Sequence, residues 1–312
     1  MKPDRLADRL TYRVDMVLEG FERTHPRGEV RQLAFAPRSA KEWYRAFRDR
    51  VLSAKGYLPI YRMSDGEFIF VCGRLPQRIQ DITRRPVAVA KSWLKHAIGW
   101  KTKDFLSGTP ENSFESYTRE EWARARRDYG TRVASISRKG VLAINLIEQG
   151  GFAREYWRPF MDWLDAEGVV LTDENFTSFY FIYAMFLGPD AGAVVSGKRI
   201  LVVTCPKDGT KAPAIDGTLR RLGARSTVFA PISENKSMTD RIAIPPRGTI
   251  DLVLIGAGVG ALNILEQVEE LEVPSIDVGF VLDCYWDAAT FRGKRAFTLP
   301  DSYTPAGERS HP

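Results

Sequence analysis

The pattern of apolar and polar positions changes texture near residue 195. Downstream, short unbroken apolar runs recur at Arg199-Ile-Leu-Val-Val-Thr204, Ser226-Thr-Val-Phe-Ala-Pro231, Asp251-Leu-Val-Leu-Ile255 and Ser275-Ile-Asp-Val-Gly-Phe-Val281. Between them, Ala214–Leu222 and Ala261–Leu271 have helical spacing. Strands that are apolar on both faces and alternate with helices predict a mostly parallel sheet, covered on both sides and joined by right-handed crossovers. Upstream, residues 1–57 read as helical. Ser39 and Glu42 have capping-box spacing, and Trp43, Phe47 and Val51 then fall on one face. Leu58-Pro-Ile-Tyr61 predicts a strand, Arg62-Met-Ser-Asp65-Gly-Glu67 a polar turn, and Phe68–Val71 a helix that opens around Glu67. Residues 74–190 read as mainly helical, with a second capping box at Thr118 and Glu121. In that region Phe176, Phe179, Tyr180, Tyr183 and Phe186 form an aromatic face that we assign to the core. The expected fold class is α/β, a Rossmann-like, mostly parallel sheet flanked by helices. A helical region over 1–56 precedes an α/β domain over 57–290, which carries a helical insertion at about 74–190, and a polar tail covers 291–312.

Composition narrows the function classes. The 312 residues are 44% hydrophobic and 27% charged, ordinary for a globular chain. No apolar run reaches the length of a membrane-spanning helix, and the opening MKPDRLADRL alternates charge too early for a secretory signal. Cys72, Cys205 and Cys284 form neither a C-x-x-C pair nor a disulfide framework, so a reduced, cytoplasmic setting is expected. His25, His96 and His311 lack zinc-site spacing, which argues against zinc hydrolases and a serine–histidine triad. Charge is uneven: residues 1–150 carry 29 Lys/Arg against 18 Asp/Glu, and residues 151–312 carry 16 against 21. A basic first half suits an anionic partner, either a nucleoside diphosphate, an acidic glycan or a membrane surface touched peripherally; a solvated helical face is the other reading. No basic run is interleaved with regularly spaced aromatics, so nucleic-acid binding is not expected.

Three segments could carry chemistry. Asp65 and Glu67, one residue apart at a strand's end with Gly66 between them, could face one hard cation, Mn²⁺ or Mg²⁺, with Arg62 adding a contact to a diphosphate. The competing reading makes Asp65 a helix cap and Glu67 a carboxylate at the helix's positive end. Asp251-Leu-Val-Leu-Ile-Gly256-Ala-Gly258-Val-Gly260-Ala261 reads strand, glycine turn, helix, and satisfies G-x-G-x-x-A. Gly256, Gly258 and Gly260 would let main-chain N–H groups approach a pyrophosphate, and Asp277 stands where a dinucleotide fold places its ribose-binding acid. Tight helix–strand packing would explain the same glycines. Asp283 and Asp287, beside Tyr285 and Trp286, fall past the last predicted strand, where ligands of open parallel sheets gather.

Taken in order, these segments resemble the GT-D-type glycosyltransferases of bacteria. The family's R-F-G-D-G-E-like motif is matched by Arg62–Glu67, its G-K-x-I-L-I-V strand by Gly197-Lys-Arg-Ile-Leu-Val-Val203, and its P-s-k-N segment loosely by Pro231–Lys236. Its small-residue loop and I-D-I-G-H strand are matched by Gly256–Gly260 and by Ile276-Asp-Val-Gly-Phe280. The similarity spans about residues 57–287. It implies a Rossmann-like GT-D fold and sugar transfer from a nucleotide-sugar donor to a glycan, glycoprotein or lipid-linked acceptor. It also implies a divalent cation held through Asp65 and Glu67. Arg62 and the 256–260 loop would then support the diphosphate, and Asp277 or Asp283 would contact sugar, ribose or acceptor. Two positions depart from the family: Phe280 replaces its histidine, and its glycine- and arginine-rich stretch is not legible in Thr204–Thr210. The alternatives are an NAD(P)-dependent oxidoreductase using the glycine loop with Asp277, and a non-catalytic binding protein of a glycan-assembly system.

Overall fold

The computed structural model describes residues 33–34, 40–72, 119–144, 153–188, 190–206, 208–233 and 236–287. The helical reading of residues 1–32 and 35–38, the two capping-box residues Ser39 and Thr118, and the polar tail over 291–312 lie outside the described residues, whereas Leu33 and Ala34, also expected to be helical, form a two-residue strand paired with Leu171 and Thr172. The strands are β1 (Leu33–Ala34), β2 (Leu58–Met63), β3 (Val141–Ile144), β4 (Leu171–Thr172), β5 (Phe176–Ser178), β6 (Arg199–Thr204), β7 (Ser226–Pro231), β8 (Leu252–Gly256) and β9 (Pro274–Asp277). The α-helices are α1 (Ala40–Ser53), α2 (Asp65–Cys72), α3 (Arg119–Lys139), α4 (Ala153–Ala166), α5 (Phe179–Leu187), α6 (Ala191–Val195), α7 (Lys211–Arg221), α8 (Ala261–Gln267) and α9 (Val281–Trp286).

Seven strands form one parallel sheet in the order β5-β3-β2-β9-β8-β6-β7, while β1 and β4 pair separately. The register is continuous through the middle: Leu201 pairs with Val253, Leu254 with Ile276, and Ile60 with Ile276 on β9's other side. Ile200 to Val203 and Leu252 to Ile255 are fully buried or nearly so. That is why these strands read as unbroken apolar runs: each side chain meets a helix layer on one face or the other. On one layer α2 packs against α4 while α8 lies over β2, β9 and β8; in a second layer α1 meets α5 and α6, and α9 bridges α5 and α7. The chain therefore folds as the expected α/β architecture.

Element bounds differ from expectation in instructive places. The stretch around 74–190 is not helical throughout, because it supplies β3 and β5 to the sheet. Both strands are short, at four and three residues, too short for a period to declare itself in sequence. Phe176 lies in β5, whereas Phe179, Tyr183 and Phe186 sit on α5 and are buried, as the core assignment requires. The last predicted strand is shorter than expected. It ends at Asp277, since Gly279 turns the chain at a positive φ of 48° and Val281 already begins α9. Ala261–Leu271 is an α-helix only to Gln267 and finishes as a 3₁₀ turn.

Candidate functional site

The strands point their carboxyl ends to one edge of the sheet, and neighbouring strands there send their connections to opposite layers. β2 runs into α2, whereas the adjacent β9 runs into α9. Divergence of that kind opens a crevice beyond the strand ends, the usual ligand position of an open parallel sheet. Arg62, Glu67, Gly256, Gly258, Gly260, Asp277 and Asp283 all lie on the ends of β2, β8 and β9 or on the first turns that follow them.

Arg62 stands at the middle of this edge. Its Nη1 donates to the Tyr183 hydroxyl (2.8 Å), and its guanidinium carbon lies 5.8 Å from the centre of that ring. Gly279 backs the same group: a β-carbon there would overlap Nη2 and stand 2.6 Å from Cζ. Only glycine takes this left-handed position and leaves the guanidinium its room. Tyr183 was assigned to the core from its spacing. It is buried, yet its hydroxyl also steers Arg62, a role that helical periodicity could not disclose.

Asp277 holds the crevice together from below. It is 0% exposed, its Oδ1 accepts the Gly279 N–H (3.0 Å), and its Oδ2 accepts the main-chain N–H of Arg62 (3.3 Å). Both carboxylate oxygens thus serve the backbone that carries Arg62 and Gly279. A ribose hydroxyl would have to compete with these bonds in a fully buried place, which weighs against the dinucleotide reading of Asp277. Burial pushes its pKa up to about 7; the Arg62 charge and the two N–H groups oppose the rise and Glu67 adds to it. Beside it the Tyr61 and Tyr129 hydroxyls share a 2.8 Å hydrogen bond, and burial holds both phenols well above their ordinary pKa.

Glu67 is 3% exposed, and its Oε2 accepts the Ser64 N–H at 2.7 Å. The first turn of α2 closes with the Phe68 N–H on the Ser64 carbonyl (3.0 Å). Ser64 is therefore the N-cap and Glu67, three residues on, the reciprocal half of a capping box. The competing expectation had a carboxylate cap here, but with Asp65 in the role that Ser64 and Glu67 share. Among the described residues no three His, Cys, Asp or Glu side chains are grouped to hold a metal ion. The cap takes one oxygen of Glu67, Oε2, so a cation shared with Asp65 would have to be held through the other. Glu67→Ala is expected to lower stability by about 1–3 kcal/mol, since it orphans a buried N–H, whereas Glu67→Gln keeps the acceptor and stays near wild type. Chemical denaturation of the two variants checks this.

The three loop glycines separate into two kinds. A β-carbon on Gly260 would overlap Ser237, and one on Gly256 would stand 2.9 Å from Leu282 Cδ1 and 3.2 Å from the Gly279 carbonyl oxygen, so both serve close packing. Gly258, at φ 54°, faces open space and is exposed. Of the three loop glycines, Gly258 is the exposed one. Asn263 on α8 secures the neighbouring segment by donating to the Ser237 (3.0 Å) and Asp240 (2.9 Å) carbonyls.

Asp283 is 28% exposed and pairs with Lys211 Nζ at 2.9 Å. Lys211 opens α7, and the Gly209-Thr210 pair before it, in the short loop after an apolar strand, is the sequence signal that could have singled it out. Two expectations fall outside this geometry. Nothing is described of the Asp65 side chain, and Asp287 ends the described chain as the C-cap of α9.

No family model matches the chain, and no curated protein does. It is similar to a solved structure described as the selenomethionine-substituted structure of domain of unknown function 1792, with 11% identity and a TM-score of 0.41 over 80% of this chain and 86% of that one.

Proposed function

We propose that this protein is a glycosyltransferase, which binds a nucleotide-sugar donor by its diphosphate at the carboxyl edge of the sheet. The observation that carries the reading is the seating of Arg62: a guanidinium steered by Tyr183 and given room by Gly279, beside an open glycine turn, at the crevice between β2 and β9. Such a group can make bidentate, charge-assisted bonds to phosphoryl oxygens. Sugar transfer breaks the bond between the anomeric carbon and the diphosphate oxygen, and charge grows on the departing diphosphate. A fixed cation there stabilises that charge more in the transition state than in the bound donor. The ordered motifs running from Arg62 to Phe280 support the same reading. A divalent cation at Asp65 and Glu67 belongs to it as a separate proposal; when bound it would supply further charge neutralisation to the leaving group.

The acceptor in this reading is a glycan, a glycoprotein or a lipid-linked sugar. The basic first half of the sequence is the reason to include a membrane-surface acceptor. Among the described residues no helix is long and apolar enough to cross a membrane.

The test is thermal unfolding and donor hydrolysis with a panel of UDP-, GDP- and dTDP-sugars, with NADH beside them, in chelator and again with Mn²⁺ restored. We expect at least one nucleotide sugar to stabilise the protein and to be hydrolysed, both effects being lost in Arg62→Ala, and NADH to do neither. Stabilisation by NADH alone would overturn the proposal in favour of a dinucleotide enzyme. Donor binding with no turnover under any condition would leave a binding protein.

A further inference from the structure

We propose that Lys211 is a second phosphate-binding residue of this crevice, and that Asp283 is the counter-ion an incoming diphosphate displaces. This rests on the reading of the crevice as a diphosphate site and assigns it two residues of this chain.

The Lys211 side chain is 4% exposed. Lysine is seldom buried to that degree unless its charge is used, because taking an ammonium out of water is costly. Its described polar contacts are the Thr204 hydroxyl (3.1 Å) and Asp283 Oδ1 (2.9 Å). An ammonium has three protons, so among the described residues one is left uncommitted. Packing alone would be served as well or better by an unbranched apolar side chain of the same length. A buried pair that no fold element requires is weak evidence for stability.

Position gives the pair its meaning. Thr204 is the last residue of β6, and its Oγ1 lies 3.4 Å from the point where a β-carbon on Gly256 would stand. The Gly279 carbonyl oxygen is 3.2 Å from the same point, and Gly279 itself backs the Arg62 guanidinium. Arg62 and Lys211 therefore flank the end of β8 from its two sides, Arg62 over the end of β9 and Lys211 at the end of β6. Two strand spacings amount to roughly 10 Å. A diphosphate with a charge-assisted bond of about 2.8 Å at each end spans that interval. Asp283 sits on the first turn of α9 and is 28% exposed, so its carboxylate can leave Lys211 for solvent without crossing the core. In the ligand-free protein it holds the place of an anionic oxygen and orients the ammonium. The Trp286 ring, 6.0 Å from Nζ, and its indole N–H bond to the Thr210 hydroxyl (2.9 Å) close the outer side.

Inorganic pyrophosphate is the probe, titrated calorimetrically into the full chain, with thermal unfolding measured in parallel. Lys211→Met is expected to stay folded, with a lower melting temperature because Asp283 loses its cation, and to weaken pyrophosphate binding about tenfold or more, the loss of one charged hydrogen bond. Asp283→Asn removes the competing carboxylate and is expected to tighten binding several-fold, and it carries the test should Lys211→Met fold poorly. Wild-type affinity in a folded Lys211→Met overturns the proposal while leaving the Arg62 crevice standing. Weaker binding in Asp283→Asn overturns it equally, because the pair would then act as a structural unit. A wild-type protein that binds neither pyrophosphate nor any nucleotide sugar removes the diphosphate site altogether.

Discussion

Gly279→Ala is expected to cost nucleotide binding about as much as removing Arg62 itself, tenfold or more, while leaving the protein folded. The backbone at this residue has φ of 48°, which for alanine costs roughly 1 kcal/mol. The larger effect is steric. The new methyl group would overlap the Arg62 guanidinium, whose Nε would lie only 2.7 Å from it, and Tyr183 holds that guanidinium from the other side. The side chain has to leave its seat. Calorimetric affinity for UDP or GDP, compared among wild type, Gly279→Ala and Arg62→Ala, reads the result, with melting curves to confirm folding. Wild-type affinity in Gly279→Ala would mean that the seated guanidinium is not what the nucleotide meets.

The second large effect is on stability and follows from Asp277. Its carboxyl titrates near 7 in the folded protein, against 3.8 for an ordinary aspartate, because burial disfavours the charged form. Between those values the folded state binds more protons than the unfolded state. Stability therefore falls as pH rises from about 4 to about 7, and the penalty is complete above 7. At about 1.4 kcal/mol per pH unit it is on the order of 4 kcal/mol. Asp277→Asn carries no titrating group and still offers one acceptor to the two N–H donors. Denaturant midpoints at pH 5 and pH 8 should show wild type losing about 3 kcal/mol more than the variant over this interval, the part of the shift between pH 5 and 7. Parallel losses in the two proteins would mean that Asp277 ionises in place without penalty.

Much of the second half of the fold was legible because its inner strands β6, β8 and β9 are buried on both faces, and even the half-exposed edge strand β7 is an unbroken run. Arg199–Thr204 and Ser226–Pro231 coincide with β6 and β7 to the residue. β3 and β5 were hard to read: Val141–Ile144 is a four-residue apolar run soon after the long helix α3, and the basic last turn followed by Gly140 is the one local sign that the helix has stopped. At the site, sequence patterns located the strand ends but not the direction of side chains. Asp65-Gly-Glu67 and Ser64 look the same whether Glu67 faces a ligand or returns to cap its helix, and here it caps. The three glycines of the G-x-G-x-x-A turn are equivalent on paper, yet neighbours in space fill the room beside Gly256 and Gly260 and leave Gly258 open. Tyr183 and Lys211 reach the crevice from elements some 120 and 150 residues beyond Arg62, a proximity created only by the strand order.

That order has a consequence for how the molecule comes into being. β9, the last strand among the described residues, is inserted between β2 and β8, with Ile276 paired to Ile60 on one side and Leu254 on the other. Until it arrives, β5-β3-β2 and β8-β6-β7 are two separate three-stranded sheets, each with an exposed apolar edge. On the ribosome, the earlier segments wait for residues 274–277 to emerge before they can join, and contacts this distant in sequence form slowly. Asp277 and Gly279, which position Arg62, come with the same few residues. The nascent chain therefore gains its crevice at the moment its sheet closes.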